Sequence, residues 1–141
     1  MLCGEYQHSI DSKGRTFIPS KLREDLGVSF VISRAVDGKR CLCVYSLEEW
    51  DKLDQKIQML PNTKASDVKR FLYSGSTKME CDSQGRVLIP SNLREFANLD
   101  GEAYILGMSN HLEIWNKEAW QKEFEKYTPE SIGEIMEQLE F

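Results

Sequence analysis

The sequence predicts an α+β fold, mainly β. Two tandem ββαββα units pair across a pseudo-two-fold axis and close into a small barrel with flanking helices. Three observations predict it. Asp11 to Glu24 recurs as Asp82 to Glu95, at an offset of 71 and with ten of fourteen positions identical, so the chain is an internal duplication. Each copy is followed by two short apolar runs and an amphipathic helix. No Pro/Gly/Ser-rich linker separates the copies, and four short strands are marginal alone. Residues 1–141 are therefore read as a single intertwined domain whose closure removes open strand edges.

The elements follow in order. Gly4 to Ile10 reads as extended. Asp11-Ser12-Lys13-Gly14 reads as a tight turn, because Asp bonds back to the backbone and Gly tolerates positive φ. A type I turn with a glycine bulge then makes a hairpin, with Arg15 to Ile18 as the return strand. Pro19 ends that strand and opens a short helix. Leu22 and Leu26 lie four apart on it, and Gly27 stops it. Phe30 to Ile32 is a strand, Val36 to Arg40 a turn with a basic tip, and Cys41 to Tyr45 the next strand. Ser46 with Glu49 is a capping box, and Leu47, Trp50, Leu53, Ile57 and Leu60 keep helical spacing. Pro61-Asn62-Thr63 reads as the stop of that helix, and Ser66 to Tyr73 as another short one.

The second copy repeats the programme. Gly75 matches Gly4, Asp82 to Glu95 matches the first tip and helix, and Ala103 to Leu106 and Leu112 to Trp115 are strands. Leu112 and Trp120 align with Leu42 and Trp50 at an offset of 70, read as one deletion in a shortened Ser109-Asn110 turn. Asn116 caps a helix carrying Trp120, Phe124 and Tyr127, aromatics whose spacing suits core or a subunit interface. Thr128-Pro129 starts a last helix with Ile132, Ile135, Met136 and Leu139 as its apolar stripe. The boundaries are thus repeat 1 over about 4–60, a linker helix over about 61–74, repeat 2 over about 75–127 and a C-terminal helix over about 128–141.

Composition is that of an ordinary globular chain, with 40% hydrophobic and 29% charged residues. The N-terminus does not read as a signal peptide, and no apolar run reaches a membrane span, so the expected location is the cytoplasm with no membrane partner. Cys41 and Cys43 share one strand face. A metal site wants a second close-spaced pair, which is missing; His8 and His111 are the other nitrogen donors. Reduced thiols are expected, with no metal, disulfide or cofactor. The net charge of −5 is unevenly spread: residues 1–40 hold seven Lys/Arg against five Asp/Glu, whereas residues 101–141 hold three against nine. A basic contact surface around the first tip is compatible with this.

An enzyme reading is weaker. A duplicated Asp-Ser about a pseudo-two-fold resembles the dyad of aspartic proteases. Those sites need Gly directly after Asp-Thr/Ser, whereas Lys13 and Gln84 stand here. The following arginines would keep both carboxylates ionised, the wrong state for one member of a dyad. No other catalytic constellation is visible, and neither an enzyme nor a small-molecule substrate is expected.

Asp-Ser-x-Gly-Arg-x-x-x-Pro-x-x-x-Arg, occurring twice in 141 residues after an N-terminal Met-x-x-Gly, closely resembles the MraZ family. These are bacterial transcriptional regulators at the head of the division and cell-wall gene cluster. The resemblance implies a double-split (swapped-hairpin) β-barrel of the AbrB/SpoVT type. It also implies binding of double-stranded DNA at short promoter repeats, homo-oligomeric rings and a nucleoid location. The family's Asp-x-x-x-Arg signature maps to Asp11 with Arg15 and to Asp82 with Arg86. Gln84, where the first copy has Lys13, sets the second tip apart as the weaker phosphate-binding element.

Candidate DNA-binding residues are Lys13, Arg15, Arg86 and Arg23; Asp11, Gly14, Asp82 and Gly85 build the turns. Arginine suits bidentate guanine contact and lysine suits phosphate. A second role for Arg15 is to pair with Asp11 and brace the turn, and both roles can hold together. Arg23 and Arg94 also read as solvated helix charges, and Arg34, Lys39 and Arg40 as a solvated turn or a flank of the DNA surface. Rival readings are an AbrB-like antitoxin whose main partner is a protein, and an oligomeric module without a DNA role. Antitoxin chains of that kind usually carry one barrel motif and a disordered tail, whereas this chain has two motifs and an amphipathic end.

Overall fold

In a computed structural model the described residues are 1–140. The chain runs β1 (Glu5–Ile10), β2 (Arg15–Phe17), α1 (Ser20–Leu26), β3 (Ser29–Arg34), β4 (Leu42–Ser46), α2 (Leu47–Gln58) and α3 (Asn62–Tyr73). It continues with β5 (Thr77–Glu80), β6 (Arg86–Leu88), α4 (Ser91–Phe96), β7 (Gly101–Gly107), β8 (Leu112–Asn116), α5 (Lys117–Phe124) and α6 (Pro129–Met136). A 3-10 turn, Glu137–Leu139, follows α6.

Local chemistry sets the ends of these elements. Pro19 and Pro90 precede α1 and α4 with extended ψ, where the missing N–H costs nothing. Ser46 and Asn116 cap α2 and α5 by accepting from the backbone N–H of Glu49 and Ala119. Thr128 and Ser131 form a reciprocal capping box at α6. Pro61 differs from expectation. It begins α3 instead of only stopping α2, so the linker helix starts at Asn62, four residues before Ser66.

Strand partners are exchanged between the repeats. A six-stranded antiparallel sheet has the order β1-β7-β8-β4-β3-β5, and β2 pairs with β6 as a separate two-stranded ribbon. The order is palindromic under exchange of the repeats, which is the pseudo-two-fold itself. The turn expected at Asp11–Gly14 closes as drawn, with Gly14 N–H donating to the Asp11 carbonyl and Asp11 N–H to that of Arg15. Its strands then diverge: β1 pairs with β7, and β2 crosses to β6. The self-paired hairpin read from local sequence is therefore replaced by the swapped arrangement, and hydrogen bonding is split between sheet and ribbon.

The ribbon, α1 and α4 cover the inner face of the sheet. Ile18, Val87, Ile89, Leu22, Leu26 and Leu93 pack there against Phe30, Ile32, Leu42, Val44, Ile105, Leu112 and Ile114. Each fully buried aliphatic side chain contributes about 1.5–3 kcal/mol relative to exposure. The outer face carries a smaller cluster of Ala35, Cys41, Cys43, Leu106 and Trp115, flanked by Tyr45 and Trp120.

Register corrects the bookkeeping of the duplication. Pro19 and Pro90 are 71 apart, Phe30 and Ala103 hold equivalent pairings 73 apart, and Ser46 and Asn116 are 70 apart. Two residues are added before β7 and three are lost from the β7–β8 turn, instead of one deletion. The C-terminal helix read over about 128–141 ends at Met136, with Leu139 in the 3-10 turn and Phe141 outside the described residues; Ile132, Ile135 and Leu139 stay 44%, 61% and 64% exposed, so this chain alone does not bury them.

Candidate nucleic-acid interface

The ribbon follows from two three-residue strands whose side chains alternate. Thr16 and Val87 point inward and are buried, which leaves Arg15, Phe17, Arg86 and Leu88 on the outer face. Arg15 lies opposite Leu88, and Phe17 opposite Arg86. Arg15 and Arg86 line one open groove with His8, Asp11, Phe17 and Glu102. The tips flank this face from opposite ends, and ribbon geometry sets Gly14 and Gly85 about 13 Å apart along the strands.

Each aspartate builds its own tip. Asp11 Oδ1 accepts from the backbone N–H of Lys13 and of Arg15, both at 2.9 Å, and Asp11 Oδ2 accepts from Arg15 Nε at 2.8 Å. Asp82 repeats the set with Gln84 N–H, Arg86 N–H and Arg86 Nε, each at 2.9 Å. Bracing and presentation are thus one arrangement. The carboxylate takes Nε, and among the described residues neither terminal guanidinium nitrogen of Arg15 or Arg86 has a protein hydrogen bond. The Arg15 backbone N–H bond, reinforced by the Arg15 and Lys13 contacts, holds the Asp11 carboxyl down at about 2. The corresponding bonds from Arg86 and Gln84 lower Asp82 as well. Lys13 and Gln84 are exposed at the tips.

Arg23 and Arg94 are not free helix charges. Arg94 of the second repeat lies on Gly14 of the first; a Cβ there would sit 2.6 Å from Arg94 Cζ. Arg23 lies on Gly85 in the same way, with Nη1 at 2.6 Å from such a Cβ. Each tip is therefore clamped by the other repeat's arginine. The tip glycines answer two demands together: close approach, and φ of +88° and +83°. The clamps differ in one bond. Arg94 Nε donates to the Ile89 carbonyl at 3.0 Å, whereas Arg23 Nε is buried without a partner among the described residues. The signal for this bracing was in the sequence, as two Gly–Arg pairs at one repeat offset, but it needed the swap to be read.

Other predicted cations are committed elsewhere. Arg34 donates from Nη1 to the Phe71 carbonyl and lies over the Phe71 and Phe96 rings. Arg40 lies over Phe96, and Lys39 pairs with Glu123 at 3.1 Å. These contacts anchor the β3–β4 turn to α3, α4 and α5. On the outer face, Cys43, His111 and Glu113 bring one donor atom each within 4.8 Å of one another. Sequence spacing did not lead to this group, because its members come from different repeats.

The family model described as "MraZ protein, putative antitoxin-like" matches residues 1–70 and 72–139, a division falling within α3 between the repeats. The Transcriptional regulator MraZ of Caldanaerobacter subterraneus subsp. tengcongensis is 47% identical over 142 residues, covering 99% of this chain and 97% of that protein. The Transcriptional regulator MraZ of Acetivibrio thermocellus is 47% identical over 144 residues, covering 99% of both. That of Pelotomaculum thermopropionicum is 48% identical over 141 residues, covering 99% of this chain and 95% of its own. A doubled Asp-x-x-x-Arg tip on a swapped ribbon, a two-part family match and relatives of equal length agree: the chain belongs to the MraZ family.

Proposed function

We propose that this protein is a sequence-specific, DNA-binding transcriptional regulator, not an enzyme. It acts as a homo-oligomer on short promoter repeats ahead of a division and cell-wall gene cluster, in the cytoplasm at the nucleoid. The observation that carries this reading is the pair of outward arginines on one ribbon face. Each is fixed through Nε and free at its terminal nitrogens, the form in which a guanidinium reads guanine N7 and O6. Lys13 adds a phosphate contact at the first tip. In support, the relatives are named transcriptional regulators, and among the described residues no helix is long and apolar enough to cross a membrane.

A single ribbon offers few base contacts, and repeated sites suit several ribbons held together. The exposed stripe of α6, and Phe124 at the end of α5, 57% exposed, supply apolar surface for such an assembly. The same stripe supports a second reading, a module whose main partner is another protein. The deciding experiment measures binding to the protein's own promoter and to a scrambled duplex at physiological salt, with light scattering on the same samples. Promoter-selective binding by an oligomer is expected. Equal affinity for both duplexes, or a monomer at micromolar concentration, would refute the respective half of the proposal.

A further inference from the structure

The seam between the repeats holds a second arrangement of chemistry, away from the ribbon. Cys43 on β4 and Glu113 on β8 are directly opposite each other in register. They also hold equivalent positions in the two repeats, so the pseudo-axis passes between them. Cys41 and His111 are equivalent in the same way, two residues before Cys43 and Glu113 on the same outer face. The Cys-Leu-Cys of one repeat thus meets the His-Leu-Glu of the other, with Leu42 and Leu112 pointing into the core. Sulfur, imidazole nitrogen and carboxylate oxygen converge within 4.8 Å at a place where Cys43 is 4% and Glu113 7% exposed.

We propose that Cys43, His111 and Glu113 form a binding site for a borderline-soft divalent cation of the zinc class, one per chain, joining the two repeats. The donor set is the first argument. Thiolate, imidazole and carboxylate are together the ligands zinc takes, whereas magnesium and calcium want oxygen alone.

Outer support is the second argument. His111 Nδ1 lies 2.7 Å from Asn110 Oδ1, which leaves Nε2 facing Glu113 Oε2 at 3.7 Å. Glu113 Oε1 accepts from Trp115 Nε1 at 2.8 Å. The Tyr45 ring stacks on the imidazole at 5.3 Å. Partners behind each ligand that fix its tautomer and direction are the mark of a built metal site.

Access is the third argument. A cleft of about 420 Å³ between α2 and the β7–β8 turn is lined by Tyr45, Lys52, Leu53, Asn110 and His111, and it leads from solvent to the imidazole. Lys52, on its wall, is paired with Glu48 and Glu49. Three protein ligands leave the fourth position open to water, and no folded partner is needed to complete the set.

The test uses the full chain, stripped with a chelator and titrated with cobalt(II) as a spectroscopic probe and then with zinc(II) by calorimetry. One equivalent per chain is expected, with a thiolate-to-cobalt charge-transfer band and a melting temperature that rises with free zinc. Cys43→Ser should abolish the band. Asn110→Ala, at an exposed turn residue that does not threaten folding, should weaken zinc binding by about tenfold or more. The proposal is overturned by the absence of a charge-transfer band or by an unchanged band in Cys43→Ser. In each case the cluster is only an internal hydrogen-bonded network.

Discussion

The two tips share a hydrogen-bond plan yet sit in different surroundings. Asp11 and Asp82 each gather the same three bonds, at 2.8–2.9 Å and at 2.9 Å, and both arginines emerge on one groove. They differ in the lysine that only the first tip carries, and in the clamp. The first tip lies under Arg94, which is anchored to Ile89; the second lies under Arg23, whose Nε has no partner among the described residues. Duplication therefore preserved the device that aims an arginine while its charge and anchoring diverged. Inequality between the tips has to come from Lys13 and the clamp, because the Asp–Arg geometry supplies none.

Replacing Arg15 by Ala should have the largest effect. Loss of one bidentate contact is worth about tenfold to a hundredfold in specific affinity, and linkage of several tips multiplies it. Binding isotherms on promoter DNA should show near loss while circular dichroism and sizing stay unchanged. Wild-type binding would reduce the tip to a braced turn. Arg86→Ala should cost less, by about tenfold in the same assay. An equal loss would show that shared geometry outweighs Lys13.

Stability should separate the clamps. Gly14→Ala forces a Cβ into the Arg94 guanidinium at positive φ, and strain alone is about 1–2 kcal/mol. It also threatens the Arg94–Ile89 bond, so Gly14→Ala should lower the melting temperature more than Gly85→Ala. The reverse order would mean that the unbonded Arg23 is the tighter clamp.

Charge exchange sharpens the comparison further. Gln84→Lys should raise affinity for all sequences and steepen the salt dependence by about one ion per engaged tip. Lys13→Gln should do the opposite. Salt slopes unaffected by both would remove phosphate contact from the tips.

The smallest effect is that of pH. The Asp11 carboxyl lies at about 2 when folded, below its ordinary value of 3.8. Its contribution is fully present above the unfolded value and is lost as pH falls through the folded one. Tip structure should be flat from pH 8 to 5 and change only below about 4, as followed by the Asp11 carboxyl and Arg15 Nε–H resonances. In Arg15→Ala, Asp11 should titrate at higher pH. An Asp11 transition near neutrality would contradict the bonding described.

Legibility depended on range. Asp11 to Gly14, Pro19, Ser46, Asn116 and Thr128 act on groups within about four residues, and the sequence placed these turns and caps correctly. Pro61 was legible as a stop but not as a start, because one proline serves both ends. The partners of β1 and β2 were not legible from the turn, since a closed turn does not force its strands to pair. The resemblance supplied the swap that local chemistry could not. Arg34 and Arg40 looked free because their aromatic partners lie in α3 and α4, far along the chain.

By itself the sequence determined the duplication, the Asp–Arg tips, the capped helices and the apolar stripe of the last helix. All of these rest on contacts within one turn of chain or on repetition of a pattern. Only the tertiary structure decided that each tip is clamped by the other repeat and that Cys43 faces Glu113 with His111 beside them. Pairing of β4 with β8 about the pseudo-axis sets those neighbours, and no spacing within one repeat encodes them.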